Sequence, residues 1–246
     1  MGVQIKMRLI VEKNRVLKVI SICTVVIIIC IYFFLFFQKG IIFEGKFLKQ
    51  DKSTPYIQYK GYVNGVPVNI LVDNAVNADS IANVTYEIGK IVRQYSIEFF
   101  NEDGVKVYQN DILLFSGKYI PDKNGIELFE NNGKPYIKGM INVVVNNKDI
   151  FNETYQVGLL HIIKTVAGDN IVNRGNPILL FIAMLFLVII LIDIKYPKFF
   201  FYLRHGLSVE NPEPSEVYVT IQKATWYIAS FIIIILLILS LFKPMV

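Results

Sequence analysis

The chain has 246 residues, of which 54% are hydrophobic and only 18% are charged. A soluble domain is about 45–50% apolar and about 25% charged, so the composition excludes a soluble globular protein. The net charge of +5 does not indicate nucleic-acid binding, because residues 38–176 hold 15 basic and 15 acidic side chains. The excess of positive charge lies instead beside an apolar segment near the N-terminus, where it bears on membrane topology.

Residues 1–15 form a basic segment, and residues 16–37 form an apolar run that holds both cysteines, Cys23 and Cys30. Residues 1–18 carry a net charge of +4. About 20 apolar residues cross the ~30 Å hydrocarbon layer as a helix. The run is longer than the core of a cleavable signal and lacks a small-residue cleavage site, so a cleaved signal peptide fits less well. We predict an uncleaved signal anchor with a cytoplasmic N-terminus, which places residues 38–176 outside the cytoplasm.

The exported region is predicted to begin with a stalk over residues 38–55 and to continue as a folded domain over residues 56–176. Gln58–Val63 and Val66–Val72 alternate in polarity on either side of Asn64-Gly65, which is the signature of a β-hairpin with a type I′ turn. Pro67 has no N–H to donate, so it indicates that one of these strands lies at a sheet edge.

The rest of the exported domain is predicted to contain one main helix and several short strands. Apolar residues in Ala78–Tyr95 recur at steps of three and four, which indicates a helix, with Asp79 or Ser80 as its N-cap. The further predicted elements are strands at Ser96–Phe100, Val105–Tyr108, Ile112–Phe115, Ile126–Phe129 and Tyr136–Val145, and a helix within Phe151–Ala167 that ends at Gly168. The fold class is therefore three membrane-spanning helices plus an exported α+β domain, an antiparallel sheet with one main helix.

Two later apolar segments, residues 177–194 and 226–242, are predicted to be transmembrane helices in contact with the lipid bilayer. Pro177 suits the first turn of a helix, and Trp226 with Tyr227 suits the membrane interface. Asp193 ends the first of these spans, where interfacial exposure is expected. The loop of residues 195–225 between the spans is basic enough to be cytoplasmic. The protein is thus predicted to be a multi-pass plasma-membrane protein with an extracytoplasmic C-terminus, and the abundance of Ile and Asn over Ala suggests a bacterial source.

Catalytic and metal-binding motifs are absent from the sequence, which predicts no cofactor, no metal site and no enzymatic activity. His161 lies among apolar neighbours and is expected to be packed rather than to bind a ligand. His205 lies on the predicted cytoplasmic side and cannot share a site with it. Asp73 and Asp79 are the exported carboxylates closest to a pair that could serve acid–base catalysis. Turn and cap roles explain both of them better.

The loop of residues 195–225 carries the densest pattern of helix-ending and helix-starting residues. Pro197 should break the helix that leaves the membrane, Arg204-His205 should end a short interfacial helix, and Ser215 should cap the next helix. This pair of helices, joined through Arg204, His205, Glu213, Pro214 and Ser215, resembles an uncharacterised family of small bacterial membrane domains over Pro177–Phe242. The resemblance implies the two-helix layout and no activity.

Three functions are consistent with this layout. The first is a non-catalytic membrane protein whose extracytoplasmic domain binds a ligand or an envelope protein partner, with a possible docking surface at Arg204, His205, Glu213 and Ser215. The second is an accessory subunit of a transporter or envelope-assembly complex, in which the helical hairpin packs on partner helices. The third, an exported hydrolase that uses Asp73 and Asp79, is the weakest of the three.

Overall fold

A computed structural model describes residues 2–52, 56–73, 81–121, 127–136, 151–205 and 213–242, with side chains described from residue 16 onward except that of His205. The chain divides into two compact units. Met1–Gln38 and Asn173–Met245 form a helical unit, and Lys39–Val172 form a sheet unit. The predicted strand Tyr136–Val145 lies almost wholly outside the described residues.

The sheet unit contains an antiparallel sheet in which sequential strands are neighbours from β1 to β9, and β10 lies beside β1. The strands are β1 (Lys39–Phe43), β2 (Lys46–Asp51), β3 (Ile57–Val63), β4 (Val66–Asp73), β5 (Ile81–Ile88), β6 (Ile91–Phe100), β7 (Gly104–Gln109), β8 (Ile112–Tyr119), β9 (Leu128–Glu130) and β10 (Ile171–Asn173). Short turns suffice for most of these connections, since neighbouring strands run in opposite directions.

The core of this unit lies on one face of the sheet. Side chains of opposite faces alternate along each strand, so Val68, Ile70 and Val72 of β4 are buried while the residues between them are more exposed. Helix α2 (Leu159–Ala167) buries Ile162 and Ile163 in the same apolar cluster. It ends at Gly168, whose φ of 79° is left-handed, as predicted.

The segment predicted as a stalk, residues 38–55, forms strands β1 and β2 in the described residues, so that prediction is wrong. Ile41, Phe43 and Leu48 are fully buried in the core of the sheet unit. The tight turn between the two strands uses Glu44 and Gly45, both with positive φ. The segment has four lysines and few apolar residues. Its hairpin could not be predicted locally, because the burial of those apolar residues depends on the rest of the sheet.

Gly40 of β1 offers a direct test of this correction. A Cβ atom at this position would lie 2.0 Å from the carbonyl oxygen of Leu48 on β2. We expect Gly40→Ala to destabilise the sheet unit by about 1–3 kcal/mol, the range of overpacking changes. Gly158→Ala is the matched control, since no atom lies within 4 Å of the added Cβ there and φ is −60°. Urea unfolding followed by circular dichroism measures both variants, and an unaffected Gly40→Ala protein would restore the stalk interpretation.

The helix predicted over Ala78–Tyr95 is also wrong in the part that the structure describes. Residues 81–88 and 91–100 form β5 and β6, joined at Gly89, whose φ is +58°. The burial pattern of β5 alternates strictly, with Ala82, Val84, Tyr86 and Ile88 buried. Two of these positions, Val84 and Ile88, also fit a helical period, so the apolar pattern is compatible with both a helix and a strand. The abundance of β-branched residues favours the strand.

The predicted hairpin at Asn64-Gly65 is confirmed, with φ of 51° and 82° at the two turn residues and Val63 paired with Val66. The edge position predicted from Pro67 is wrong, because β4 lies between β3 and β5. Pro67 is tolerated because it lies one residue beyond the last β4–β5 pair, Val68 with Ile88. Its carbonyl accepts the N–H of Gly89 at 2.9 Å, so the ladder loses only its terminal bond.

The helical unit has three helices that are long and apolar enough to cross a membrane: Val16–Phe36, Pro177–Lys195 and Glu216–Phe242. They belong to α1 (Gly2–Phe36), α3 (Pro177–Lys195) and α5 (Glu216–Phe242), and the short helix α4 (Phe199–His205) lies between the last two. Helices α3 and α5 pack against each other through Ala183, Ile190 and Ile233. Helix α5 begins ten residues before the predicted span and runs through it without interruption.

Arg174, Gly175 and Asn176 join the ends of these helices. The N–H groups of Arg174 and Gly175 donate to the carbonyls of Gln38 and Phe36 at the end of α1, at 2.8 and 2.9 Å. The N–H of Asn176 donates to Ser240 O near the end of α5 at 2.7 Å. The last carbonyls of a helix have no partner within it, so one tripeptide satisfies two helix ends. The Asn176 side chain then caps α3, where Pro177 takes the first position as predicted.

Candidate functional site

A groove of about 570 Å³ lies on the exposed face of the sheet unit. Its lining comes from the middle of β3, the start of β4 and the end of β5, and comprises Lys60, Gly61, Tyr62, Pro67, Val68, Asn69, Glu87 and Gly89. Tyr62 is 71% exposed and lies directly opposite Pro67. The groove thus combines an aromatic ring with polar side chains that point away from the core.

A chain of hydrogen bonds fixes the polar floor of this groove. The side-chain amide of Gln58 donates to Asn69 Oδ1 at 2.7 Å, and Asn69 Nδ2 donates to Glu87 Oε2 at 2.6 Å. Gln58 is 9% exposed, and the three residues come from three neighbouring strands. Such a chain aligns the dipoles of its members. It also holds the Glu87 carboxylate in one orientation before a ligand binds, so that binding does not lose side-chain entropy at this position.

Positive charge borders the groove on the side of β2. Lys60 of β3 lies directly opposite Asn69 of β4 and, on its other side, directly opposite Lys49 of β2. Both lysines are exposed. Neither lysine has an ion pair within the part of the chain that the structure describes. The groove is therefore lined by Lys60, an aromatic ring and an oriented carboxylate, and Lys49 lies beside it on β2. These groups lie within three strand spacings, about 15 Å.

His161 of α2 is part of a separate, internal network. Its Nε2 lies 3.2 Å from the carbonyl oxygen of Ile42 on β1, and its Nδ1 lies 3.1 Å from the hydroxyl of Tyr86 on β5. The ring also contacts Phe43 edge-on, at 4.9 Å between centroids. Burial lowers the pKa of His161 to about 4, against a partial upward effect of the Ile42 carbonyl. The histidine is therefore neutral and packed, as its apolar neighbours predicted.

This assignment fixes the tautomer. A carbonyl oxygen only accepts, so Nε2 carries the proton and Nδ1 accepts from Tyr86. Burial also raises the pKa of the Tyr86 hydroxyl, which keeps that donor protonated. The network links α2 to β1 and β5.

The two carboxylates considered for the least favoured function, a hydrolase, do not form a described site. Asp73 is the last residue of β4, is half-buried and is paired in register with Asn83 of β5. Asp79 lies outside the described residues. Among the residues that the structure does describe, no group of His, Cys, Asp and Glu side chains could hold a metal ion.

The predicted docking residues lie on either side of residues 206–212, which are outside the described residues. Arg204 is exposed near the end of α4, and His205 is the last residue of that helix. Glu213 and Ser215 are exposed just before α5. Ser215 caps α5 as predicted, since its Oγ accepts the N–H of Tyr218 at 3.2 Å. The docking role of these four residues stays a prediction.

Asp193 joins α3 to α5, contrary to the expectation that it is only exposed at an interface. One carboxylate oxygen accepts from Gln222 Nε2 at 2.7 Å, and the other accepts from Trp226 Nε1 at 2.5 Å. Gln222 Nε2 also donates to Pro197 O at 2.7 Å, which ties the turn after α3 to the same point. Gln222 is buried and Asp193 is half-buried. We call Asp193, Gln222 and Trp226 the hairpin lock.

The two helices, the turn between them and the lock form one compact helical pair. Residues 182–240 match the model of a family of unknown function, DUF6199. The match lies within the C-terminal third of the chain, where the sequence resembled an uncharacterised family. All three residues of the hairpin lock fall within the DUF6199 segment, as do Arg204, His205, Glu213 and Ser215. Comparison with curated proteins and with solved structures gives no match.

The sequence alone did not single out either the groove or the hairpin lock. Glu87 lies in the segment that was predicted to be a helix, which separated it from Asn69 and Lys60. Alternation along β3 and β4 places Lys60 and Asn69 on the outer face, and this signal was available once the hairpin was recognised. The partners of Asp193 are 29 and 33 residues away, at Gln222 and Trp226, and no local pattern connects them.

Proposed function

We propose that this protein is a non-catalytic, multi-pass membrane protein whose sheet unit binds a ligand or partner at the groove on its exposed face. The observation that carries the proposal is the hydrogen-bonded chain Gln58–Asn69–Glu87 under an exposed Tyr62. Convergent polar groups beside an apolar surface in a concave region are the usual make-up of a ligand site. Fixed polar groups lower the entropy cost of binding.

The contacts of the acidic side chains on this face support a non-catalytic role. The Glu87 carboxylate is held by an amide, and the Glu98 carboxylate is paired with Lys106 at 3.2 Å. Neither lies beside a histidine, a nucleophile or a second carboxylate in the described contacts. This arrangement supports recognition rather than acid–base catalysis.

The proposed membrane topology has three spans, with a cytoplasmic N-terminus and the sheet unit on the extracytoplasmic side. Three apolar helices support the number of spans. The net charge of +4 in residues 1–18 supports the orientation of the first. In this arrangement α1 serves as a signal anchor and the DUF6199 segment completes the membrane part, with α4 in the cytoplasmic loop.

The alternative function is an accessory subunit of a membrane complex, in which the helical pair packs on partner helices. One observation favours it: the family match covers α4 and most of α3 and α5, and it does not include the sheet unit. A segment that matches a family model without the rest of the chain can function independently of the sheet unit. Phe181 of α3 and Phe231 of α5 are exposed and available for such contacts.

Site-specific photo-crosslinking in cells separates the two functions. A photoreactive phenylalanine replaces Tyr62 in the groove, Phe181 on α3, or Ile112 on β8, which is 67% exposed on the sheet unit but does not line the groove. Our proposal expects an adduct from position 62 and none from position 112. An adduct from position 181 alone would favour the accessory subunit. The absence of adducts from position 62 in all growth conditions would contradict the binding role of the groove.

A further inference from the structure

We infer that the groove takes an acidic glycan, a sugar chain that carries carboxylate or phosphate groups, with Lys49 and Lys60 contacting the anion and Tyr62 contacting the sugar ring. The inference rests on the proposed function of the groove and names its ligand class. It is argued from the charge pattern of the exposed face, from the aromatic surface and from the oriented polar floor.

The charge pattern is the first part of the argument. Lys49 and Lys60 lie directly opposite each other on neighbouring strands, and like charges in this arrangement repel. Elsewhere on the same sheet, cross-strand neighbours are complementary, as in the ion pair between Lys106 and Glu98 at 3.2 Å. Neither Lys49 nor Lys60 forms an ion pair within the described part of the chain. An anion between them would turn the repulsion into two attractive contacts.

The shape and polarity of the rest of the groove surface also suit a sugar. A sugar has an apolar face of C–H groups and a rim of hydroxyls that both donate and accept. Tyr62 offers an exposed ring beside Pro67 for the apolar face, and aromatic residues with a polar tip suit such mixed surfaces. Glu87 and Asn69 offer acceptor and donor groups whose orientation is already fixed. A purely ionic ligand would leave these groups unused.

Two sources share this chemistry, namely a polymer of uronic acids and a sugar chain that carries phosphate groups. They are distinguished by titrating the full-length protein with tetragalacturonate and with phosphorylated maltotetraose, beside the neutral control maltotetraose. The protein is reconstituted in nanodiscs of phosphatidylcholine, because sugar-headed detergents and anionic lipids would compete for the groove. Saturation-transfer NMR and calorimetry report binding.

We expect at least one acidic oligomer to bind saturably, more tightly than maltotetraose and less tightly as salt is raised. Lys60→Gln should weaken binding about tenfold, the effect of one charge-assisted hydrogen bond. Tyr62→Ala should weaken it similarly while Tyr62→Phe retains the ring and most of the affinity. Lys106→Gln is the matched control, since this lysine lies on the same sheet but is already paired with Glu98.

Binding of neither acidic oligomer, or equal binding of maltotetraose, overturns the inference. An effect of Lys106→Gln equal to that of Lys60→Gln also overturns it, because binding would then follow net charge. These outcomes are distinct from failure of the proposed function. A protein adduct from position 62 together with no glycan binding would keep the groove as a binding site and reject the glycan, whereas loss of both would reject the groove itself.

Discussion

Replacing Asp193 with alanine is expected to destabilise the helical pair of the DUF6199 segment by about 2–4 kcal/mol. The change removes the acceptor of two charge-assisted hydrogen bonds, from Gln222 Nε2 and Trp226 Nε1. Bonds to charged groups contribute about 1.5–3 kcal/mol each, and a buried donor left without an acceptor adds its desolvation cost. Gln222 is only 8% exposed, but it keeps Pro197 O as its remaining acceptor. The total loss of stability should therefore be smaller than the contribution of two full hydrogen bonds.

Trp226 is the single tryptophan of the chain, and its fluorescence therefore reports on the lock alone. Unfolding of the reconstituted protein in sodium dodecyl sulfate, followed by this fluorescence, measures the change. Asp193→Asn should lie between the wild type and Asp193→Ala, since an amide offers one acceptor. Glu216→Gln, at an exposed position in the first turn of α5, should change stability by less than about 1 kcal/mol. If Asp193→Ala behaved like Glu216→Gln, the lock would contribute nothing.

The sheet unit is expected to lose about 3 kcal/mol of stability as pH falls from 7 to below 4, through His161. Burial lowers its pKa from 6.5 to about 4 in the folded state. A group with a depressed folded pKa binds its proton more readily when unfolded, so protons favour unfolding between pH 6.5 and 4. Above pH 6.5 the contribution of the neutral ring is fully present, and below pH 4 the loss levels off. Each pKa unit corresponds to about 1.4 kcal/mol.

Two measurements check this prediction. The chain has only two histidines, so carbon-13 labelling gives two ring signals, and the one that disappears in His161→Gln should titrate near pH 4. Urea unfolding between pH 7 and 4 should then show a smaller loss of stability in His161→Gln than in the wild type, since protonation of carboxylates is common to both. An identical pH dependence in the two proteins would mean that His161 is not the group responsible.

The helices of this protein were largely predictable, because a long apolar run has one stable arrangement in a bilayer. The composition of residues 16–37, 177–194 and 226–242 identified all three candidate spans. The local rules for helix ends identified Pro177, Ser215 and Gly168 correctly. These rules depend on a few neighbouring backbone groups and need no knowledge of the rest of the fold.

The sheet was predictable only where a turn is unambiguous. Asn64-Gly65 identified its hairpin because few other residue pairs accept positive φ at both positions. The segment Ala78–Tyr95 was predicted as a helix because Val84 and Ile88 fit both a helical period and the alternation of β5. Which period applies is decided by strand pairing with β4 and β7 and by helix α2, which packs against β5 and β6. Pairing with the rest of the sheet likewise makes residues 39–51, which were predicted as part of a stalk, form β1 and β2.

Local sequence was enough to locate the three helices that are apolar enough to cross a membrane and the helical pair that matches DUF6199. Which polar residues act together became visible only in the folded chain. Lys49, Lys60, Asn69 and Glu87 come from four strands, and Asp193 meets Gln222 and Trp226 across two helices. Hydrogen bonds and charge interactions act over a few ångströms, and residues far apart in the chain reach that range only after strand pairing and helix packing have fixed the register.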